Sequence, residues 1–408
     1  MTMQTRNQMT VTVDDVVARE SRHVLQTYKR NPVTFVRGQG VRVWDADGRE
    51  YLDLLSGIGV AALGHAHPAL ARAVAEQAQT LIHTSNLFYH PYQGQLAERL
   101  AALSGLPRAF FCNSGTEAVE ACLKFARRYW FTKGAPRAEF IALTESFHGR
   151  TFGSLSVTAT EHYRTPFEPL LPTVKFVAVN DPAALTAAVS ASTAAIIAEP
   201  IQGEGGVRPL TPAFAAAIRD ACARSGALLI ADEVQSGLGR TGQPFYATVL
   251  GLKPHLVAIG KALGGGVPIG AALVSQEVAD TISFGDHGST YGGNLLACRA
   301  GLCVLDELAG GLIDHVRKVG AWFEQRLKAV AARHAIVKEV RGAGLMWGLD
   351  LGRDATPVVP AALERGVIVN RTADTVVRLL PPLVITEADA DEALGRLDAA
   401  LGAVGAVA

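Results

Sequence analysis

The sequence predicts an α/β fold, in which a large domain has a mostly parallel sheet flanked by helices and a smaller α+β domain follows it. Between about residues 108 and 275, short apolar segments alternate with segments of helical periodicity. Several of the short segments are apolar at consecutive positions, which is typical of strands buried on both faces of a parallel sheet. The seven candidate strands are RAFFCN, EFIALT, VKFVAV, AAIIAE, ALLIAD, HLVAIG and IGAALV.

The pattern of strand-like and helical segments changes on either side of this region. We expect residues 1–75 to form an N-terminal segment that belongs to the small domain, with a hairpin turn at Asp47-Gly48. Residues 76–305 are expected to form the large domain. After about Asp306, strand-like segments are mixed with helical ones, so residues 306–408 are expected to form the C-terminal small domain.

The composition argues against several classes of function. The 408 residues carry 38 basic and 38 acidic side chains, which disfavours nucleic acid or an anionic membrane as the main partner. The first 20 residues lack the apolar region of a secretory signal, so we expect a cytoplasmic protein without a membrane span. Five cysteines form no CxxC pair and eleven histidines form no HExxH motif, so no metal site is expected.

The first motif with a chemical reading is CNSGTEAVEA, residues 112–121. An apolar strand ends at Cys112, and Ser114 with Glu117 has the spacing of a helix capping box. The helix that follows is predicted from its periodicity over residues 116–130. Free N–H groups of Gly115 and Thr116 at its positive end could bind a phosphate. Taken on its own, this motif is better explained as an ordinary capped helix.

The second motif is LLIADEVQSG, residues 228–237, in which a buried strand leads into Asp232 and Glu233. A carboxylate at the carboxyl end of a parallel strand lies where α/β folds bind ligands. Two acids could hold Mg²⁺, one acid could pair with a protonated ring nitrogen, and both could simply occupy a surface turn.

The third motif is IGKALGGG, residues 259–266, where Lys261 follows an apolar strand. A P-loop requires a glycine where His255 stands and a Ser or Thr where Ala262 stands. A dinucleotide fingerprint in GLGRTG is also disfavoured, because Pro244 follows closely and no acid lies between Glu233 and Glu277. The remaining reading is Schiff-base chemistry, since apolar surroundings lower the pKa of a lysine.

Together these three motifs supply a phosphate-binding turn, a carboxylate for a pyridinium nitrogen and an amine for an aldehyde. Those are the three groups by which proteins hold pyridoxal phosphate. Each motif is weak alone, but their combination in this order points to that cofactor.

The chain resembles the class III aminotransferases of the fold-type I pyridoxal-phosphate family and, within that class, the acetylornithine aminotransferase group. The resemblance extends from about Tyr28 into the C-terminal domain. The motifs that carry it are LGHAHP, HTSNLF, FCNSGTEA, FHGRT, EPIQGEGG, DEVQSGLGRTG, KALGGGVPIGA and HGSTYGGN.

This resemblance implies roles for individual residues. Lys261 would bind the cofactor covalently and move the proton, Asp232 would pair with the ring nitrogen, and Glu204 would act as a switch. Arg378 would be the arginine that Glu204 binds and releases, while Arg150 would bind a substrate carboxylate. Read without the family, Arg150 is a surface arginine and Glu204 a capping acid. Ser289 would also contact the substrate. The remaining implied contacts to the cofactor come from Ser114, Gly115, Thr116, Phe147, Glu233, Val234, Gln235 and the partner subunit's Thr290.

The implied reaction moves the terminal amino group of N-acetylornithine to 2-oxoglutarate, giving a semialdehyde and glutamate, in arginine biosynthesis. A second reading is the same reaction on acetylated lysine, or on lysine attached to an acidic carrier protein, in lysine biosynthesis. A remote third reading is a regulator that binds the cofactor without turnover. The resemblance also implies a homodimer with no nucleic-acid partner.

Overall fold

The computed structural model describes residues 12–406. The expectation of no secretory signal concerns the first 20 residues, of which residues 1–11 lie outside the described part. The strands are β1 (Phe35–Gln39), β2 (Arg42–Asp45), β3 (Glu50–Asp53), β4 (Arg108–Cys112), β5 (Glu139–Leu143), β6 (Val174–Val177), β7 (Thr193–Ala198), β8 (Ile201–Gln202), β9 (Arg208–Pro209), β10 (Leu228–Asp232), β11 (Leu256–Ile259), β12 (Gly270–Val274), β13 (Glu339–Ala343), β14 (Met346–Asp350), β15 (Val367–Ile368), β16 (Asn370–Thr372) and β17 (Val376–Leu379). The helices are α1 (Val13–His23), α2 (Ser56–Gly59), α3 (Pro68–Thr80), α4 (Pro91–Ser104), α5 (Gly115–Thr132), α6 (Phe152–Ser156), α7 (Glu161–Arg164), α8 (Pro182–Ala188), α9 (Pro212–Ser225), α10 (Tyr246–Val249), α11 (Gln276–Ala279), α12 (Leu295–Glu307), α13 (Ile313–Ala331), α14 (Val358–Glu364) and α15 (Glu387–Ala406).

The central sheet confirms the predicted α/β class. Its seven strands lie in the order β4-β12-β11-β10-β7-β5-β6, and they coincide with the seven candidate segments of the sequence. β12 runs antiparallel to both of its neighbours, β4 and β11. The other five strands, β11, β10, β7, β5 and β6, pair with one another in parallel. The sheet is therefore mostly parallel, as the unbroken apolar runs predict.

Both faces of this sheet are buried, and the strands show why consecutive apolar residues are needed. In β5, Phe140 and Ala142 join the core cluster that contains the apolar face of α5. Their neighbours Ile141 and Leu143 point the other way, into the core that contains α9 and α12. Successive side chains of a strand alternate between faces, so a covered sheet requires apolar side chains at both.

Two smaller sheets, β1-β2-β3-β15 and β13-β14-β17-β16, lie outside the central one. The predicted hairpin is confirmed, with β2 and β3 antiparallel and Gly48 in the turn at φ 81°. β3 also pairs with β15 in parallel, which places the leading segment beside the C-terminal part. The expected boundaries at 75/76 and 305/306 fall inside α3 and α12, and the division into domains stays a prediction.

Several carboxyl ends of the central strands converge on one edge of the sheet. β4 ends before the start of α5, β10 ends at Asp232, and β11 ends two residues before Lys261. The three motifs that are far apart in sequence therefore meet at this edge, where open α/β sheets bind their ligands. No helix in residues 12–406 is both long and apolar enough to cross a membrane.

Candidate active site

A cavity of about 280 Å³ lies at this edge of the sheet. It brings together ten of the predicted site residues, namely Ser114, Gly115, Thr116, Phe147, Arg150, Glu204, Asp232, Val234, Gln235 and Lys261. Three further residues line it that the sequence did not single out individually: His148, Gly149 and Glu199. Glu233, Ser289, Thr290 and Arg378 do not line it, and their positions are described below.

The amino end of α5 forms one wall. Ser114 is the N-cap, and its hydroxyl accepts a hydrogen bond from the Glu117 N–H at 3.3 Å. Glu117 in turn accepts from the backbone N–H of Asn113 at 2.7 Å, so the predicted capping arrangement is present, with the return contact displaced by one residue. This cap fixes the first turn of the helix with its N–H groups toward the cavity.

The lysine-bearing turn passes directly against this wall. A Cβ placed on Gly260 would lie 3.1 Å from the Gly115 backbone nitrogen, and one on Gly115 would lie 2.6 Å from Cγ1 of Val234. Glycine is required at both positions because there is no room for a side chain. The close approach puts Lys261, the α5 amino end and Val234 on three sides of the same space.

Thr116 anchors the loop that follows β5. Its hydroxyl contacts the Ser154 hydroxyl at 2.6 Å and accepts from the Arg150 N–H at 3.2 Å. The backbone of Gly149, with φ 135°, passes close to this hydroxyl, and a Cβ on Gly149 would lie 2.1 Å from Thr116 Oγ1. The loop carrying Phe147 and Arg150 is therefore tied to the phosphate-binding turn.

Lys261 itself occupies an unusual backbone conformation with φ 40°. Its side chain forms no hydrogen bond or ion pair with any residue among 12–406. Burial lowers the pKa of Lys261 below its ordinary value, and the opposing pull of Glu204 does not compensate. A lowered pKa makes the uncharged form of this unpaired amine easier to reach, and in that form it is a nucleophile.

Asp232 is held from two sides. Its Oδ2 is 2.7 Å from Nδ1 of His148, and its Oδ1 accepts from the Val234 N–H at 3.0 Å. The aspartate side chain is about 5% exposed, whereas the histidine side chain is fully buried. The carboxylate therefore has a fixed orientation at the cavity wall.

Glu199 is a third buried acid at a strand end, directly after β7. Its two oxygens accept from the backbone N–H groups of Phe147 and Gly203, each at 2.9 Å. Burial raises the pKa of Glu199 to about 7. This side chain ties the Phe147 loop to the segment that carries Glu204.

Glu233 turns away from the cavity. Its carboxylate accepts from the Ser236 hydroxyl and from the Ala247 N–H, the latter at 2.6 Å. Burial raises its pKa to about 7. Since successive side chains of a strand point in opposite directions, only one of two adjacent acids can face the site.

Glu204 and Arg378 form an ion pair on the far side of the cavity. Oε1 of Glu204 is 2.5 Å from Nη1 of Arg378, which also donates to Oε1 of Gln235 at 3.2 Å. Burial would raise the pKa of Glu204, but Arg378 and Lys261 outweigh it and the pKa lies below the ordinary value. Arg378 is fully buried, and its Nη2 has no hydrogen-bond partner among the described residues.

Arg150 and Phe147 project from the loop that Thr116 anchors. The Arg150 guanidinium lies 3.4 Å above the ring centre of Tyr163, and Phe147 meets the same ring edge-on at 6.5 Å. Tyr163 thus connects the two predicted contact residues of this loop.

Ser289 and Thr290 lie outside the cavity of their own chain. The Ser289 hydroxyl accepts from the Gly292 N–H at 3.0 Å, while Thr290 is exposed. The loop is adjacent to Asn86, whose side chain donates to the Ser289 carbonyl at 3.0 Å.

His148 and Glu199 are the two ionisable cavity residues that sequence reasoning missed. Glu199 carried the same signal as Asp232, an acid directly after a fully apolar strand, in AAIIAE. His148 had no local signal, because its partner Asp232 is 84 residues away.

The arrangement offers N–H donors for an anion, a carboxylate for a protonated ring nitrogen, an amine for a carbonyl and an arginine for a carboxylate. Comparisons with known proteins agree with this chemistry. The family model "Aminotransferase class-III" matches residues 24–401. The acetylornithine aminotransferase of Aquifex aeolicus is 46% identical over 376 residues, which cover 92% of this chain and 98% of that protein.

Solved structures give the same picture. The ornithine aminotransferase of Toxoplasma gondii superposes with a TM-score of 0.93 at 34% identity, over 98% of this chain and 97% of that one. The N-acetylornithine aminotransferase of Stenotrophomonas maltophilia gives 0.83 at 35% identity, over 96% of this chain and 100% of that one. The family match spans most of the chain, and this protein therefore belongs to the class-III aminotransferases.

Proposed function

We propose that this protein is a pyridoxal-phosphate-dependent aminotransferase that moves the terminal amino group of N-acetylornithine to 2-oxoglutarate, giving a semialdehyde and glutamate. The observation that carries the proposal is the convergence of Lys261, Asp232 and the amino end of α5 on one cavity, opposite the Glu204–Arg378 pair. The substrate is supported by similar proteins named acetylornithine aminotransferase, at 42–46% identity.

The residues present fit pyridoxal phosphate. A Cβ at Gly115 would clash with Val234 and one at Gly149 would clash with Thr116, so only glycine lets these segments pack closely around the α5 amino end, where a phosphate is held. Both side-chain oxygens of Asp232 accept hydrogen bonds, as the oxygens of a carboxylate do. A carboxylate is the partner that a protonated pyridine nitrogen requires. When bound, the cofactor supplies an aldehyde that exchanges amino groups and a ring that withdraws electrons.

The roles of the cavity residues follow from their positions. The N–H groups of Gly115 and Thr116, with the Ser114 cap behind them, would bind the phosphate. Val234 borders this wall, and the Phe147 side chain would lie against the ring. Lys261 would anchor the cofactor, and its Nζ, with its lowered pKa, would hold the proton that is moved during the reaction.

The remaining ring contact is Gln235, which lies beside the switch pair. Its Oε1 accepts from Arg378 and its side chain also lies against Glu204, while its amide nitrogen would contact the oxygen on the ring. Glu233 turns away from the cavity, so the side-chain contact to the cofactor that was expected of it is not supported.

The two carboxylate-binding arginines account for two substrates of different length. Glutamate reacts at its α-amine, whereas N-acetylornithine reacts at a terminal amine, so the pocket must accept a carboxylate at two distances. Arg150 at the loop binds one carboxylate, and Arg378 binds that of glutamate once Glu204 releases it. The unpartnered Nη2 of Arg378 supports this second role.

The reading in which lysine is carried by an acidic protein is not favoured, because similar relatives are named for acetylornithine. A regulator without turnover is not favoured either, because Lys261, Asp232 and Arg150 line the same cavity.

We further propose a homodimer, in which Ser289 and Thr290 act in the partner's cavity. Its support is a run of exposed apolar side chains beside this loop: Leu87 is 86% exposed and Tyr89 fully so.

The function is tested with the purified protein. Glutamate should shift the visible absorbance of the bound cofactor, and kcat/KM should be higher for N-acetylornithine than for ornithine, N-acetyllysine or carrier-linked lysine. Lys261→Ala should abolish turnover. Turnover in that variant would contradict the proposed role of Lys261, and a preference for a lysine substrate would overturn the substrate assignment.

A further inference from the structure

His148 has no role in the function proposed above, although it is among the most enclosed polar side chains of the site. Its side chain is fully buried, and its Nδ1 lies 2.7 Å from Oδ2 of Asp232. Its backbone N–H donates to the Thr158 hydroxyl at 2.9 Å, and that hydroxyl also donates to the Ser154 carbonyl at 3.1 Å. The backbone of His148 is therefore fixed by its own loop, independently of Asp232.

The contacts determine which tautomer His148 adopts. Both oxygens of Asp232 accept hydrogen bonds, from Nδ1 of His148 and from the Val234 N–H, so Nδ1 carries the hydrogen. Nε2 is buried without a partner among residues 12–406. A buried N–H without an acceptor is costlier than a bare lone pair, which also favours the hydrogen on Nδ1 rather than on Nε2.

An N–H donor at this position orients the carboxylate of Asp232, as the outer partners of metal-bound histidines orient their ligands. Oδ2 is held by His148 and Oδ1 by the Val234 N–H, and each oxygen keeps a further lone pair for a donor at the cavity wall.

We propose that His148 is a positioning residue for the cofactor: its Nδ1–H holds Asp232 in the orientation that receives the ring nitrogen of pyridoxal phosphate. The proposal rests on the cofactor assigned above. The proposal predicts that the affinity for pyridoxal phosphate depends on where the side chain at position 148 carries its N–H donor, and not only on the volume or polarity of that side chain.

Two amide variants separate these possibilities. In His148→Asn the amide nitrogen takes the place of Nδ1, whereas in His148→Gln it reaches the place of Nε2. The dissociation constant of pyridoxal phosphate from the apoprotein is measured by titration, with the absorbance maximum of the bound cofactor as a second readout. His148→Asn should stay within about threefold of the wild type, and His148→Gln should weaken binding roughly tenfold or more.

A double-variant cycle distinguishes positioning from a merely structural role. His148→Phe should weaken binding in the wild-type background but have little further effect when Asp232→Asn is already present. Additive losses, or equal affinities of the Asn and Gln variants, would overturn the proposal. If the wild-type apoprotein fails to bind pyridoxal phosphate, the proposed function fails together with it, whereas tight wild-type binding with unchanged variants refutes His148 alone.

Discussion

Three acids at strand ends share a similar sequence context but have different surroundings. Asp232 meets a histidine N–H and a backbone N–H at the cavity wall. Glu199 meets two backbone N–H groups, and Glu233 meets a hydroxyl and a backbone N–H away from the cavity. What each carboxylate can do is decided by these donors, which come from distant parts of the chain.

The stacking of Arg150 on Tyr163 leads to a prediction about substrate affinity. Tyr163→Ala should raise the KM for N-acetylornithine about two- to fivefold with little change in kcat, because an exposed cation–π contact contributes about 0.5–1 kcal/mol. Tyr163→Phe keeps the ring and serves as the matched control. Steady-state kinetics of both variants checks this, and equal KM values for Ala and Phe would contradict it.

At the residue scale, the sequence predicted what is chemically local. Lys261 and Asp232 stand at the ends of apolar strands, and these patterns, weak singly, indicate groups that face a ligand when they are combined with the capped turn at Ser114. The Glu204–Arg378 pair joins residues 174 positions apart, and it entered only through the family resemblance. No short-range pattern could have revealed His148, since its signal is a contact across the fold.

The amino end of α5 gives a prediction at the scale of the element. Gly115→Ala should weaken pyridoxal-phosphate binding about tenfold or more, because the added Cβ would lie 2.6 Å from Cγ1 of Val234 and overpacking costs about 1–3 kcal/mol. Gly94→Ala in α4 is the control, since nothing lies within 4 Å of its Cβ. The control should bind normally and be about 0.5–1 kcal/mol more stable. Titration of both apoproteins checks this, and normal binding by Gly115→Ala would refute it.

Glu233 links the end of β10 to the first turn of α10, and it makes stability depend on pH. Burial raises its pKa from 4.5 to about 7, so between these values the folded protein holds a proton that the unfolded chain has lost. Stability therefore falls as pH rises through this window, by at most roughly 3 kcal/mol for this one group.

Glu233→Gln should make that fall shallower, by about half, because Glu199 also has a pKa of about 7 and remains. The amide can accept from the Ala247 N–H and donate to the Ser236 hydroxyl, so the local contacts are kept. Thermal unfolding of both proteins from pH 5 to pH 8 measures the difference. Parallel pH profiles would show that Glu233 does not titrate in this range.

At the scale of elements, the sequence predicted all seven strands of the central sheet but not their order. Apolar runs report burial on both faces, which every strand of this sheet shares. That β12 lies between β4 and β11 and runs opposite to both depends on side-chain packing across the sheet, which periodicity does not encode. The capped helix α5 was predictable because its cap and its apolar face are both local.

The whole molecule places its switch across two sheets. Arg378 lies on β17 of an outer sheet, whereas Glu204 follows β8, beyond the end of the central strand β7. Arg341 on β13 donates to the Gly206 carbonyl at 2.8 Å, which ties the same loop to the outer sheet. Movement of the outer sheet would therefore change the ion pair and, with the role proposed above for Arg378, the binding of the substrate carboxylate.

The exposed loop at Leu87 and Tyr89 gives the last prediction, on assembly. Asn86 donates to the carbonyls of Ser289 and Gly292, so this apolar loop borders the segment of Thr290. In a homodimer the apolar side chains would be buried and Thr290 would reach the partner's cofactor, so assembly and cofactor affinity should change together. The double variant Leu87→Asp, Tyr89→Asp should be monomeric by light scattering and should bind pyridoxal phosphate more weakly than the wild type. Val249→Asp, at a residue 54% exposed on α10, is the control and should change neither property. A monomeric wild type, or a monomeric variant with wild-type affinity, would disprove this coupling.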